Sequence, residues 1–369
     1  MPWNWELPDW PKFCYDAARI LSKERQFLLK GGGALAFLKN INEAERNQFI
    51  VEILCSEGLE SSKIEGEILD RESLQSSIRR QFGLPTPFKK ESKKEAGMAK
   101  VLCDVYDTFE KPLTHEMLCR WHAMLLDGHS SIEDLGKYRT HAEPMQIVSS
   151  RYGNPTIFFE APPSKKIPHE MQGFIDWFNT SGGSGSILER AAIGHLYFES
   201  IHPFEDGNGR IGRLLVEKIL SQGIGRPLLI AVSNILEKRK KEYYAALEKC
   251  NRSLEAQHWV EFFTDVILQA QEESIHLVQF LIEKSKMFTA LTGQINPRQE
   301  KALRRLFAEG PKGFQGGLSA ENYMAITKAS RATATRDLAD LVEKGALVKT
   351  GELRYTRYSL HLQKGARGI

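Results

Sequence analysis

No run of apolar residues in this 369-residue chain reaches the roughly 18 residues that a membrane-crossing helix needs, so no membrane span is expected and no membrane partner. The opening stretch MPWNWELPDW lacks the basic-then-apolar order of a secretory leader. Cysteine is sparse: Cys14, Cys55, Cys103, Cys119 and Cys250 are scattered, odd in number and never paired as C-x-x-C. That pattern excludes a disulfide framework and a thiolate zinc site. Low-complexity tracts are missing as well. These absences together lead to the expectation of a cytoplasmic, reducing setting.

What is present is the composition of a globular protein, 41% apolar and 26% charged, with a mean hydropathy of −0.36. The length exceeds one ordinary core, so two or three domains are expected. The net charge of +3 conceals an asymmetry. From Asn296 onward, fourteen Lys or Arg stand against seven Asp or Glu, which gives the tail +7 and everything before it −4. Only the tail has the balance of a nucleic-acid-binding segment.

Helix-period apolar positions such as Phe49, Ile53, Leu54 and Leu59 mark the first segment, to about Phe82. A polar, proline-bearing stretch, Pro85 to Ala96, reads as a boundary. From Leu113 to Leu220 helical patterns dominate, interrupted by a strand pair, Met145 to Ser149 and Thr156 to Phe159, that predicts a β-hairpin. Thr180 to Ser186 reads as a flexible loop, and another helical stretch covers Ser233 to Phe288. In the tail, helices are predicted at Pro297 to Phe307, around Ala320 to Ile326, and over the stretch whose apolar face is Ala334, Leu338, Leu341 and Val342. Two strands around Gly351 follow. Helix, helix, helix, hairpin is the layout of a winged helix-turn-helix.

The stretch IHPFEDGNGRIGR, Ile201 to Arg213, is too polar for core and too ordered for a linker. Pro203 stops the preceding helix near His202, and Phe204 is suited to anchor the loop. Gly207 and Gly209 let backbone N–H groups converge just where the next helix begins, which makes an anion site for which phosphate is the usual occupant. Arg210 and Arg213, three apart, can reach further phosphate oxygens, and Asp206 can hold a divalent cation bridging them. His202 is left to accept a proton from an incoming hydroxyl. His195, Glu199, His202 and Asp206 also have ligand-like spacing on a helix, but Pro203 and Gly207 break that face and a metal site would leave both arginines unexplained.

This stretch resembles, without mismatch, the signature H-P-F-x-[DE]-G-N-G-R-x-x-R of the Fic family. The resemblance implies a mainly helical enzyme that transfers AMP from ATP to a protein hydroxyl and releases pyrophosphate, with His202 as general base and Asp206 as Mg²⁺ ligand. It further implies ATP contacts along Gly207, Asn208, Gly209, Arg210, Ile211, Gly212 and Arg213. Three more stretches resemble the same family. The hairpin MQIVSSRYGNPTIFFEAPP resembles the flap that clamps a target segment by strand addition, with Ile147, Val148 and Ser149 beside the nucleotide. KEYYAALEKCN resembles the adenine-pocket helix, with Tyr244 and Asn251 two turns apart. SSKIEGE resembles the inhibitory motif [ST]-x-x-x-E-[GN], with Ser61, Glu65 and Gly66 in register and Arg213 the natural partner of Glu65. Glu67, one residue past that motif, is expected to be a bystander. WNWELPDWPKF resembles the start of Fic proteins that carry an extra helical N-terminal domain.

The expected fold is mainly α: a helical regulatory domain over 1–96, an all-helical Fic core with a hairpin flap over 97–290, and a winged helix-turn-helix over 296–362. The expected function is protein adenylyl transfer using ATP and Mg²⁺, restrained by Glu65. Its partners are a target protein at the flap, double-stranded DNA or a protein at the winged helix, and a second copy of the chain as a homodimer. Two alternatives remain: a DNA-binding regulator with a Fic sensor core, reading DNA through Arg331, Thr333 and Arg336, and removal of AMP at the same site with Glu65 as base.

Overall fold

The computed structural model describes residues 1–39, 42–86, 92–148, 156–183, 185–311, 313–314 and 316–362. Its chain divides into two compact units, one formed by 1–31 and 50–271, the other by 32–49 and 272–369. Among the described residues no helix is long and apolar enough to cross a membrane.

The first unit is helical apart from one hairpin. Its elements are the first half of α1 (Leu21–Lys39), most of α2 (Glu43–Ile64), α3 (Arg71–Gln81), α4 (Lys93–Thr108) and α5 (His115–Leu125). After these come strands β1 (Gln146–Val148) and β2 (Ile157–Glu160), then α6 (Ile167–Thr180), α7 (Ile187–Ile201), α8 (Asn208–Ile224), α9 (Val232–Lys238), α10 (Lys240–Cys250) and the first half of α11 (Gln257–Ala290). At the centre α7 and α8 lie side by side and are buried nearly all round, as a helix that is apolar on most faces must be. Small residues permit that approach: a Cβ on Gly194 would stand 2.7 Å from Ile219, and one on Gly223 would stand 2.6 Å from Ile187. Everything that positions the site hangs from this pair.

The polar stretch from Pro85 to Ala96 is not a linker throughout, because α4 already begins at Lys93, with Glu95 buried and accepting a hydrogen bond from the Asp70 N–H. Nor is residue 96 a border between compact units. Leu54, Cys55, Ile64, Leu74 and Ile78 share one core with Leu196, Phe204, Leu215 and Trp259, so the N-terminal helices and the helices around the motif bury their apolar faces against each other. The N-terminus is fastened to the same body, where buried Asn4 donates to Ser200 Oγ (2.9 Å) and its own N–H donates to the Asn251 carbonyl (2.8 Å). The helical stretch predicted from Ser233 to Phe288 comprises three helices, interrupted at Arg239 and between Asn251 and Ala256.

The second unit takes in the later part of α11 and then α12 (Pro297–Ala308), α13 (Ala320–Thr327), α14 (Arg331–Glu343) and the antiparallel pair β3 (Leu347–Thr350) and β4 (Arg357–Leu360). Each of the three short helices starts at a side-chain cap, Asn296, Ser319 and Ser330. Ala334, Leu338 and Leu341 are fully buried, as the sequence periodicity predicts. They pack with Leu303, Leu306, Phe307 and Tyr323. Asp337 ties the helices together, accepting from Arg298, Asn296 and the Tyr323 hydroxyl. The second strand starts later than expected: a turn over Leu353–Tyr355 intervenes, leaving Leu353 92% exposed at its tip.

Candidate functional site

Because Pro203 offers no N–H, α7 stops at Ile201, and His202 takes the left-handed conformation (φ 51°, ψ 60°) as its C-cap. That turn swings the imidazole out of the helix face and onto the wall of a cavity of about 470 Å³. Arg139, almost fully buried, holds the turn by donating Nε to the His202 carbonyl (2.9 Å) and its backbone N–H to the Pro203 carbonyl (3.0 Å). Burial and then the Arg139 charge push the His202 imidazole down to about 4. It is therefore neutral at neutral pH, with Nδ1 buried and without a hydrogen-bond partner among the described residues. Glu199, one turn earlier, brings Oε2 to 3.8 Å from that nitrogen. Burial, reinforced by the Glu65 charge, raises the Glu199 carboxyl to about 8, so it is protonated at neutral pH.

Phe204 anchors the loop, fully buried and stacked on His122 with ring centroids 4.3 Å apart. Asn208 closes it: Oδ1 accepts from the Phe204 N–H (2.9 Å) and Nδ2 donates to the Phe204 carbonyl (2.8 Å). Its side chain is thus committed to the loop, and only its backbone N–H is left for a phosphate. Gly207 caps α8 at φ 80°, a conformation that a Cβ would strain. The first intrahelical bond runs from the Ile211 N–H to the Gly207 carbonyl (2.9 Å), so the N–H groups of Asn208, Gly209 and Arg210 precede it and form the anion-binding end of the helix. The Ile211 side chain is fully buried core, and a Cβ on Gly212 would meet Glu199 and the His195 ring.

Both arginines of the motif reach the segment Ser61 to Glu67. The helix α2 ends at Ile64, one residue short of Glu65, in a Schellman turn: Gly66 sits at φ 83° and donates to the Lys63 carbonyl (3.0 Å), and the Glu67 N–H donates to the Ser62 carbonyl (2.9 Å). Glu65 therefore projects from the turn, not from the helix. Arg213, 2% exposed, donates Nη2 to Glu65 Oε1 (2.7 Å) and to the Ser61 carbonyl (2.9 Å), and Nε to Ser61 Oγ (2.8 Å). Burial alone would lower its pKa, but the Glu65 carboxylate and its other neighbours outweigh that and hold it above the ordinary arginine value. Arg213 Nη1 and Arg210 Nε are buried donors without a partner among the described residues. Gly209 leaves room for the Glu65 carboxylate, which a Cβ there would strike.

Arg210 divides its two terminal nitrogens, Nη1 to Glu67 Oε2 (2.7 Å) and Nη2 to Asp206 Oδ2 (3.2 Å). Glu67, expected to be a bystander, is engaged on every side, with Lys94 Nζ at 2.7 Å and His129 Nε2 at 3.4 Å from its other oxygen. Burial works against its charge, but Lys94 and Arg210 overcome that and hold its pKa below the usual glutamate value. Asp206 is the most open of these groups, its side chain 55% exposed, with Oδ1 accepting from the Gly207 N–H (2.6 Å). A lone open carboxylate beside an anion-binding helix end fits Mg²⁺, which takes one or two carboxylates and fills its other places with phosphate and water. No group of three or more His, Cys, Asp or Glu gathers as a cage among the described residues.

On the far wall of the cavity the two tyrosines of α10 part company. Tyr243 is 2% exposed and bonds His195 Nε2 through its hydroxyl (2.9 Å), whereas Tyr244 is 43% exposed and lines the cavity. Asn251 lines it too, and donates Nδ2 to the Phe158 carbonyl of β2 (2.9 Å). Trp5 Nε1 takes the Glu160 carbonyl (2.7 Å), so the outer edge of β2 is occupied and the open edge of the hairpin is that of β1. Ile147 and Val148 of β1 are about half exposed and line the cavity; Ser149 lies outside the described residues. Sequence reasoning set Glu67 aside, weighed Glu199 only as a metal ligand and missed Arg139. For Glu67 there was a signal, a second carboxylate two positions after Glu65; the contacts of the other two are visible only in the fold.

The chain matches the Fic/DOC family over residues 112–220 and a domain of unknown function, DUF4172, over residues 3–84. It is 30% identical over 91 residues to a probable protein adenylyltransferase, aq_aa38, of Aquifex aeolicus, covering 25% of this chain and 26% of that one. With the protein adenylyltransferase fic-1 of Caenorhabditis elegans it shares 25% identity over 194 residues, covering 51% of this chain and 35% of the relative. The chain thus spans about a quarter to a third of the length of these two relatives. Among solved structures, a Fic family protein from Desulfovibrio desulfuricans superposes with a TM-score of 0.53 at 22% identity, over 95% of this chain and 98% of that one. Fic-1 from C. elegans superposes with a TM-score of 0.51 at 21% identity, over 70% of this chain and 73% of that one. At these identities the two likenesses concern the fold.

Proposed function

The chain is a Fic family protein, and from that premise we propose that it transfers AMP from ATP to a hydroxyl side chain of a target protein, restrained by Glu65. The observation that carries this reading is the neutral His202 on one wall of a cavity whose other walls hold Tyr244, Asn251 and the N-terminal end of α8. The triphosphate lies along the N–H groups of Asn208, Gly209 and Arg210, with the base against Tyr244 and Asn251. The target adds its segment to the open edge of β1, which brings its hydroxyl to His202. The hydroxyl oxygen attacks the α-phosphorus while His202 takes its proton. The bond from the α-phosphorus to the bridging oxygen breaks, and pyrophosphate leaves. Mg²⁺ at Asp206 supplies charge neutralisation for the outer phosphates when bound.

Glu65 restrains this by holding Nη2 of Arg213, a donor that the γ-phosphate requires, and by adding negative charge where the triphosphate must lie. A half-desolvated pair of this kind contributes about a few kcal/mol. The test is transfer of label from α-labelled ATP to a protein acceptor by the Glu65→Gly chain, and its disappearance in Glu65→Gly/His202→Ala. Labelling that survives the second substitution would remove His202 from the chemistry.

The second unit supports a further partner. Arg331 and Arg336 stand exposed near the start of α14, with Lys349, Arg354 and Tyr355 exposed on the β3–β4 hairpin, in a tail of charge +7. Helix and hairpin together suit the groove and backbone of duplex DNA.

A further inference from the structure

Resting on the reading of the site as one for Mg²⁺ and ATP, we propose that Glu67 is a positioning residue: it holds one arm of Arg210 so that Asp206 stays open to the cation. The geometry is a chain of three groups. Arg210 carries two terminal nitrogens, and the structure gives one to Glu67 (2.7 Å) and the other, more loosely, to Asp206 (3.2 Å). The Arg210 side chain is 4% exposed, so it has no recourse to water for a donor that loses its partner. Asp206 is four residues before Arg210, across the start of α8, and is the nearest carboxylate remaining to it. Were Glu67 neutral, the guanidinium would turn its fork onto Asp206 and form the bidentate pair that arginine and carboxylate favour. That pair would take up the carboxylate oxygens and cancel the charge on which a divalent cation depends.

Lys94 and His129 keep Glu67 in place from α4 and from the segment after α5, so the carboxylate is held from three elements and not by Arg210 alone. One turn thus performs two opposed tasks. Glu65 obstructs the nucleotide at Arg213, and two residues later Glu67 keeps Arg210 from obstructing the cation. Removing the whole turn and replacing Glu65 alone are then different operations, since only the second preserves the cation site.

Calorimetric titration of ATP into the full chain, with Mg²⁺ and with a chelator, tests this in the Glu65→Gly background. Glu65→Gly/Glu67→Gln should bind ATP about 10-fold or more weakly in Mg²⁺, the range for lost partners of metal-ligating groups. Binding without metal and the melting temperature should stay the same. Glu65→Gly/Arg210→Gln should itself bind ATP more weakly, since Arg210 also faces the phosphates, but adding Glu67→Gln to it should have no further effect, because the group that competes for Asp206 is gone. Unchanged Mg²⁺-dependent affinity in Glu65→Gly/Glu67→Gln would overturn the proposal alone. Equal weakening with and without metal, or a further loss when Glu67→Gln is added to Arg210→Gln, would make Glu67 a general structural residue and overturn it too. No ATP binding by Glu65→Gly itself would overturn the reading of the site and this proposal with it.

Discussion

Glu65 Oε1 accepts a 2.7 Å hydrogen bond from Arg213 Nη2, joining the end of α2 to the helix that follows the motif histidine. The pair is asymmetric: Arg213 is buried and fixed by two further bonds to Ser61, whereas Glu65 projects from a turn with its side chain 28% exposed. Of the two, the glutamate is the part that can leave. Glu65→Gly should raise AMP transfer on the order of 10²-fold, the factor that corresponds to a few kcal/mol. Rates of the two purified chains with α-labelled ATP measure this, and an unchanged rate in the folded variant would mean that the contact is not a brake.

His202→Ala in the Glu65→Gly background should lower transfer by ~10²–10⁴, the usual cost of losing a general base, while ATP affinity holds. A base must be unprotonated, and burial keeps this imidazole down to about 4. The rate should therefore lack the acid limb near pH 6.5 that an ordinary histidine gives, and fall only as pH drops through about 4. An acid limb centred near pH 6.5 would contradict the buried, neutral state of the ring.

Glu199 makes a stability prediction. Its carboxyl is raised to about 8 by burial and by Glu65, so between about pH 4.5 and 8 the unfolded chain gives up this proton and the folded chain keeps it. The folded state binds more protons there, and stability falls as pH rises through that window. Gln cannot ionise. The melting temperature of Glu199→Gln should draw ahead of the parent's as pH climbs from about 4.5 to about 8 and keep a constant lead above that. A lead that shrinks with rising pH would contradict it.

Arg331→Ala/Arg336→Ala should weaken duplex binding by the full chain without altering ATP binding, since the described residues that line the cavity at His202 all lie in the first unit. Two lost phosphate contacts would flatten the plot of log affinity against log salt by about 2. A full chain that fails to shift duplex DNA at low salt would remove DNA as the partner and leave a protein.

The motif was legible because its chemistry is local. His202 caps the end of α7 and Gly207 the start of α8, with Arg213 in the second turn, and the stop at Pro203 and the glycines fix the backbone between them whatever surrounds it. The division of labour inside it was not legible, since a thirteen-residue motif mixes groups that face a ligand with groups that hold the loop, as the Asn208 side chain does, and only burial and hydrogen bonding separate them. Glu67, Glu199 and Arg139 act across the fold, from 143, 3 and 63 residues away from the groups they touch. Even the short separation of Glu199 meant nothing until the left-handed turn at His202 brought the ring back toward it. The core shared across residue 96 was hidden for a related reason. The apolar residues of α2 and α3 have the period of any amphipathic pair, and periodicity does not say which core they join.

The most direct test of the account is to supply the Glu65→Gly chain with ATP labelled at the α-phosphate in one reaction and at the γ-phosphate in another, and to follow label into protein. Adenylyl transfer predicts a covalent protein label from the α-position alone, with pyrophosphate released in step and both signals lost in Glu65→Gly/His202→Ala. Label from the γ-position, or none from the α-position by a folded chain that binds ATP and is supplied with its target, would contradict it.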